Sequence, residues 1–332
     1  MKELWSVYHK EIPPFLQEFA AALPVQRLKD VGMNCGCEYT NFPRFADIGP
    51  YSRYDHSLGV ALIVWHFKGD MAQSLAGLFH DVTTPVFAHV VDFLNGDHER
   101  QESTEAGVEA CLSASAKIME LLEQYAIPLE AVTDYHRYPI ADNDSPALSA
   151  DRLEYTLGNL LNYRFADFET VCRFYEDLTV GKDEQGRPEL VFRSVEIASA
   201  FTAAALKNAH VYVADEDRYA MQMLADLLRI ALQRGTLQYE DLHTTEPQVL
   251  EKLKQDEVCL SLWRQFCGLS RILRREDSAA EGEEGWLCVP AKKRWIDPIS
   301  QEYGRVSQYD ANISHRIDEF CALDFSCWLK GE

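Results

Sequence analysis

A chain of 332 residues with 47% apolar and 26% charged side chains has the composition of a globular protein and room for one large domain or two modest ones. Its 32 basic residues against 53 acidic ones leave a net charge of −21, which repels polyanions and argues against extended nucleic-acid or anionic-membrane binding. The apolar runs are short for a membrane span and acids interrupt residues 1–20, where a signal peptide needs a clean apolar stretch. With nine scattered cysteines that suit reduced thiols, this makes a cytoplasmic location the expectation.

Helical spacing of apolar residues dominates the chain. Residues 3–22 read as an amphipathic helix interrupted at Pro13-Pro14. Residues 32–52, rich in Gly, Asn and Pro, read as a loop that carries the close pair Cys35 and Cys37. Helices are expected over about 55–67, 70–81, 86–95, 103–126, 128–136, 146–162 and 166–177. Between Leu178 and Phe192, two β-prone runs flank a polar turn with Gly181 and Gly186, which predicts a hairpin. Helical periodicity returns over 194–214 and 216–234 and stops at Gly235, a suitable C-cap. Two short helices within 246–275 and short extended pieces at 286–290 and 294–299 complete the chain. The pattern predicts an all-α core over 1–235 with a small hairpin at 178–192 and a C-terminal segment, 236–332, packed on it.

The apolar run Ser74–Phe79 ends abruptly in His80-Asp81, with His56 upstream and Asp151 downstream. Two imidazoles and two carboxylates suit a borderline divalent metal, and the set accepts Mn, Fe, Co, Ni, Zn or Mg. Such an ion polarises a phosphate oxygen and makes water nucleophilic near neutral pH. His56 alone, at the start of an apolar helix, would equally serve as the partner of a loop carbonyl. Asp151, Tyr155 and Asn159 are four apart and share one helix face, with Arg152 and Glu154 at its edge. His89 and Asp92, three apart, and His98-Glu99 beyond a short turn are the candidates for general acid and substrate-positioning work. Lys292-Lys293-Arg294, the strongest basic cluster of this acidic chain, reads as a solvated surface run, with a phosphate-binding lid as the alternative.

Taken in order, these residues resemble the H…HD…D signature of the HD-domain metal-dependent phosphohydrolases, closest to the deoxynucleoside triphosphate triphosphohydrolase branch. Gln26-Arg27-Leu28 resembles its Q-R-L segment, and Arg53-Tyr-Asp-His56-Ser-Leu-Gly-Val its R-F/Y-x-H-S-L-G-V. The run His80-Asp-Val-Thr-Thr-Pro-Val-Phe-Ala-His89 is similar to H-D-x-G-H-x-P-F-S-H, and Asp151-Arg-Leu-Glu-Tyr155 to D-K/R-x-D-Y. The likeness covers about residues 24–235. It implies His56, His80, Asp81 and Asp151 as metal ligands and His89, Asp92 and His98 as the catalytic set. It further implies Arg53 and Arg152 on phosphate oxygens and Gln26 and Tyr155 beside a sugar. The chain departs from the pattern at Thr83-Thr84, where the family has Gly-His, and at Asn159, where an acid is expected. The expectation is a hydrolase of a small phosphorylated molecule, a nucleotide first. A 5′-nucleotidase or other phosphomonoesterase, or a catalytically weak nucleotide-binding regulatory module, is the alternative, and homo-oligomerisation is left open.

Overall fold

The computed structural model describes residues 2–95, 107–276 and 283–332. It begins with three short helices, α1 (Lys2–Tyr8), α2 (Pro14–Ala20) and α3 (Leu23–Arg27). A Gly-containing loop leads to the central pair α4 (Arg53–Lys68) and α5 (Met71–Phe79), followed by α6 (Val90–Asn95), α7 (Val108–Ser113) and α8 (Ala116–Gln124). Next come α9 (Ala150–Asn162), α10 (Phe168–Glu176), the hairpin β1 (Leu178–Lys182) and β2 (Pro188–Phe192), and the two longest helices, α11 (Val195–Tyr212) and α12 (Asp215–Gln233). The rest comprises α13 (Glu246–Leu253), α14 (Glu257–Gly268), β3 (Ile272–Arg275), β4 (Leu287–Cys288), β5 (Ile299–Ser300), β6 (Gly304–Arg305), α15 (Val306–Tyr309), α16 (Ala311–Cys321) and β7 (Trp328–Gly331).

The structure is predominantly helical, but the all-α expectation is corrected by two small sheets. The predicted hairpin is present and extends into a four-stranded sheet of order β1-β2-β5-β6, in which β2 and β5 run parallel. A three-stranded sheet of order β3-β7-β4 forms near the C-terminal end. Its strands, like β5 and β6, are two to four residues long, too short for period-2 alternation to declare itself. Several helix predictions also change: within 103–126 the described residues form two helices, α7 and α8, broken at Ala114-Ser115, and the 146–162 helix starts only at Ala150. The 86–95 helix starts only at Val90, because Phe87 and Ala88 take φ values of 58° and 47°. Over 128–136 the backbone forms 3-10 turns at Leu129–Ala131 and Tyr135–Arg137.

Two apolar cores hold the fold. One gathers Leu58, Leu62, Phe79, Leu157 and Phe201 with Val306, Ile317 and Phe320. The other surrounds α12, where Leu224 and Leu228 meet Phe42, Phe87, Phe266 and Leu329. Both therefore draw on residues on each side of Gly235. Arg305 adds a polar clamp, its guanidinium forked onto the buried Glu189 at 2.6 and 2.8 Å, while Glu189 also accepts from the Leu148 backbone ahead of α9. Among the described residues no helix is long and apolar enough to cross a membrane.

Local signals set where the site-bearing helices begin. A capping box of Ser52 and Asp55 starts α4, so Arg53 and His56 fall in its first turn. Asp70 caps α5, which ends at Phe79 and delivers His80-Asp81 to its C-terminus, and Ser149 caps α9 just before Asp151. The crossing of α4 and α9 is close because two glycines vacate it. A Cβ on Gly59 would lie 2.6 Å from Cγ of Glu154, and one on Gly158 would lie 2.6 Å from the Tyr51 hydroxyl. Gly158→Ala would gain about 1 kcal/mol of helix propensity, yet it forces a buried, rigid phenol aside at a cost of about 1–3 kcal/mol. A net loss of stability is expected, measured as a lower urea midpoint with unchanged m.

Candidate metal centre

Three elements meet at one end of a cavity of about 830 Å³. The first turn of α4 contributes His56, the end of α5 contributes His80 and Asp81, and the first turn of α9 contributes Asp151. The Nε2 atoms of His56 and His80 face each other at 3.2 Å. Asp151 Oδ1 lies 3.0 Å from His56 Nε2 and 4.0 Å from His80 Nε2, and Asp81 Oδ2 lies 4.0 and 3.5 Å from the same two atoms. His56, His80 and Asp151 offer ligand atoms all within 4.8 Å of one another, the one such group among the described residues.

Second partners fix both rings. His56 Nδ1 is 2.6 Å from a carboxylate oxygen of Glu154, and His80 Nδ1 is 2.7 Å from the Gly77 carbonyl. Each ring therefore carries a proton on Nδ1, and both Nε2 lone pairs point into the space shared with the two carboxylates. Three electron-pair donors, from His56, His80 and Asp151, crowd one point and repel one another unless a cation lies among them, with Asp81 Oδ2 alongside and bound to Arg53, so the donor set fits a divalent metal. Without a cation that place falls to a proton. Although burial opposes charge, the Asp151 and Glu154 carboxylates push His56 up to about 10. Burial likewise works against ionised Asp81, but Arg53 and the two histidines hold it well below the usual carboxylate range.

Glu154 anchors this arrangement. It is 1% exposed and accepts from Tyr51 at 2.5 Å and Tyr8 at 3.4 Å as well as facing His56. Burial pushes its carboxyl up, while His56 and Tyr51 pull it back. The sequence reading placed Glu154 only at the edge of a face and missed Tyr51. A second acid three residues after Asp151, on the same side of the helix, was the available signal.

A second pair lies on the cavity wall, where His89 Nδ1 sits 2.8 Å from an oxygen of the fully buried Asp92. The consecutive left-handed residues Phe87 and Ala88 turn the chain directly ahead of it. Burial lowers His89 below its ordinary value; Asp92 opposes this, and the charges of Arg294 and Arg53 reinforce it. His98 and Glu99 lie outside the described residues.

The remaining sequence-predicted residues divide. Arg53 lines the cavity, bound through Nη1 to Asp81 at 3.0 Å. Tyr155 also lines it, near the Tyr212 ring, and Asn159 donates to the Tyr212 hydroxyl at 2.8 Å. Arg152 borders the cavity, but its guanidinium is engaged by Asn143, Ser149 and Asp142. Gln26 is not among the residues that line the cavity; its amide donates to the Ala20 carbonyl at 2.5 Å and its oxygen accepts from Lys29 at 2.6 Å. Its neighbour Arg27 braces the turn after Asp81 through the Val82 and Thr84 carbonyls. Thr84, one of the two departures from the family pattern, donates its hydroxyl to Asp81 Oδ1 at 2.7 Å. Sequence reading also overlooked Asp217 on the cavity wall, whose carboxyl burial pushes up to about 7.

No family model matches the chain. It is 28% identical over 251 residues to the uncharacterized protein YdhJ of Bacillus subtilis, a match covering 74% of each protein. It is 24% identical over 164 residues to the metal-dependent phosphohydrolase cns2 of Cordyceps militaris, which spans 47% of this chain and 44% of that protein. Among solved structures, the phosphohydrolase BT4208 of Bacteroides thetaiotaomicron superposes with a TM-score of 0.64 at 14% identity, covering 97% of this chain and 96% of that one. A hypothetical protein from Aquifex aeolicus gives 0.66 at 17% identity, with 96% and 92% covered. At these identities the structural likenesses show a shared fold.

Proposed function

We propose that the protein is a metal-dependent phosphohydrolase acting on a nucleotide, in the manner of a deoxynucleoside triphosphate triphosphohydrolase, or on a related small phosphoester. The observation that carries this reading is the pair of Nε2 atoms held face to face at 3.2 Å between two carboxylates. The likeness to a protein named a metal-dependent phosphohydrolase supports it at the general level. His56, His80, Asp81 and Asp151 would hold a divalent ion, which when bound supplies Lewis acidity toward a phosphoryl oxygen and toward water.

The chain's own groups do the rest. Arg53 fixes Asp81 and lends its charge to the same end of the cavity. His89, with its Nδ1 proton committed to Asp92, presents a basic Nε2 and is neutral near pH 7, so it orients water for in-line attack and accepts its proton. His98 is assigned the proton for the departing oxygen on the family likeness alone. Rings of Tyr155 and Tyr212 with the Asn159 amide offer a wall suited to a sugar or base.

His80→Ala or Asp151→Ala is expected to abolish metal retention with helical content intact, read by elemental analysis and circular dichroism; full occupancy in either variant contradicts the ligand set. Glu154→Gln keeps the ring in place less firmly and should weaken metal affinity by about 10–100-fold, followed by chelator competition. His89→Ala should lower kcat by about 10²–10⁴-fold with metal content unchanged. Because His89 works deprotonated, the wild-type rate is lost as pH falls through a value below the ordinary histidine range near 6.5, and the variant loses that acid limb. A screen of dNTP, dNMP and simple phosphoesters on metal-loaded protein identifies the bond cut: tripolyphosphate marks the triphosphohydrolase reading and orthophosphate the phosphomonoesterase one. Ligand-induced thermal shift with no product marks a regulatory module and overturns the hydrolase.

A further inference from the structure

The cavity carries side chains of both signs. Lys292, Lys293 and Arg294, expected at a solvated surface, line it, and so does Asp217 in the first turn of α12. Acids at a helix start are ordinary, since they complement its dipole. The two neighbours of Asp217 behave in that way: Asp215 pairs with Arg218, and Glu216 lies 3.5 Å from Arg44. Asp217 instead borders the cavity, where its one hydrogen-bond partner among the described residues is the buried Cys37 thiol, 3.7 Å from Oδ1. A thiol is a weak donor, and burial pushes the Asp217 carboxyl up to about 7. A carboxylate with that much acceptor capacity unspent is costly to bury unless a further donor arrives.

The place of Asp217 relative to the metal residues follows the course of α9. Asp151 opens that helix and Tyr163 caps its far end, twelve residues later and about 18 Å along the axis. The Tyr163 hydroxyl donates to Asn34 Oδ1 at 3.2 Å, the Asn34 carbonyl accepts from the Cys37 backbone at 2.9 Å, and Cys37 holds Asp217. Rings step along the cavity from the metal end, Tyr155 at 6.5 Å from His56 and Tyr212 at 6.2 Å from Tyr155. We infer that Asp217 determines specificity: it receives an amino group on the part of the substrate remote from the phosphoryl group, so the cavity takes a phosphorylated compound with an N–H donor at its other end. This deepens the phosphohydrolase reading and rests on it for the anionic end. Anion and donor belong at different ends because a carboxylate repels phosphate oxygens and attracts an N–H hydrogen. A carbonyl in place of the amine sets acceptor against acceptor, the kind of mismatch that a desolvated site rejects strongly. Two kinds of compound present the group: a nucleotide whose base carries an exocyclic amine, and an aliphatic aminoalkyl phosphate.

The test measures binding calorimetrically to the full chain loaded with Mn²⁺, using phosphonates, in which carbon replaces the ester oxygen so that none is cleaved. Two matched pairs isolate the amine: the dCMP analogue against the dUMP analogue, and aminohexylphosphonate against hexylphosphonate. Wild-type protein should bind the amino-bearing member of at least one pair about tenfold or more tightly. The nearly isosteric Asp217→Asn should erase most of that preference and keep the Mn²⁺ affinity. If the preference lies in the nucleotide pair, it should also raise affinity for the dUMP analogue, a gain that mere damage to the fold cannot give. Equal affinity within both pairs in the wild type overturns the inference whatever the variant does, and so does a preference that survives Asp217→Asn. The two readings fail separately. Nucleotide analogues bound with no preference for the amine keep the nucleotide reading and overturn the Asp217 subsite. A preference for aminohexylphosphonate with neither nucleotide analogue bound keeps the subsite and overturns the nucleotide reading. Protein that binds none of the four overturns both.

Discussion

A carboxylate with 1% exposure is expensive to keep ionised unless donors surround it, and Glu154 has three of them. Two tyrosines hold its oxygens, and its remaining capacity fixes His56 Nδ1 at 2.6 Å. That one contact decides the tautomer of His56, hence the direction of its other lone pair, hence whether it converges with His80 and Asp151. The helices adapt to it: glycines stand in both α4 and α9 where the Glu154 chain and the Tyr51 ring pass. His80 reaches the same condition more cheaply, through a backbone carbonyl three residues back in its own helix.

Charge is distributed with a similar economy. The chain is acidic overall, yet around the cavity several carboxylates have specific counterparts. Arg53 answers Asp81, Arg152 answers Asp142 and Arg218 answers Asp215. Lys292 and Arg294 line the same recess. The long-range field of such a chain repels anions in bulk.

Much of the helical framework was legible because its signals are local. Long apolar periodicity marks α4, α11 and α12, while the caps Ser52, Asp70 and Ser149 set the starts of α4, α5 and α9 at Arg53, Met71 and Ala150, where periodicity alone predicts 55, 70 and 146. The four clustered residues stood out because ionisable groups interrupt apolar runs. What stayed hidden depends on distant partners. Phe87 and Ala88 read as helix, but tertiary packing holds them left-handed. Gln26 sits in a family-like segment, yet its amide finds Ala20 and Lys29 close by and stays with them. The segment 289–297 carries no periodicity at all, and its course follows from anchors at Arg218, Pro146 and Ser307, none adjacent to it in sequence.

The sheet order β3-β7-β4 has a consequence for how the molecule comes into being. The middle strand is the last of the three to be synthesised, so its neighbours have nothing to pair with until Trp328–Gly331 has left the ribosome. The histidines and aspartates are all translated far earlier. Because both apolar cores also draw on residues beyond Gly235, the helices that carry those residues complete their packing only once most of the polypeptide has emerged.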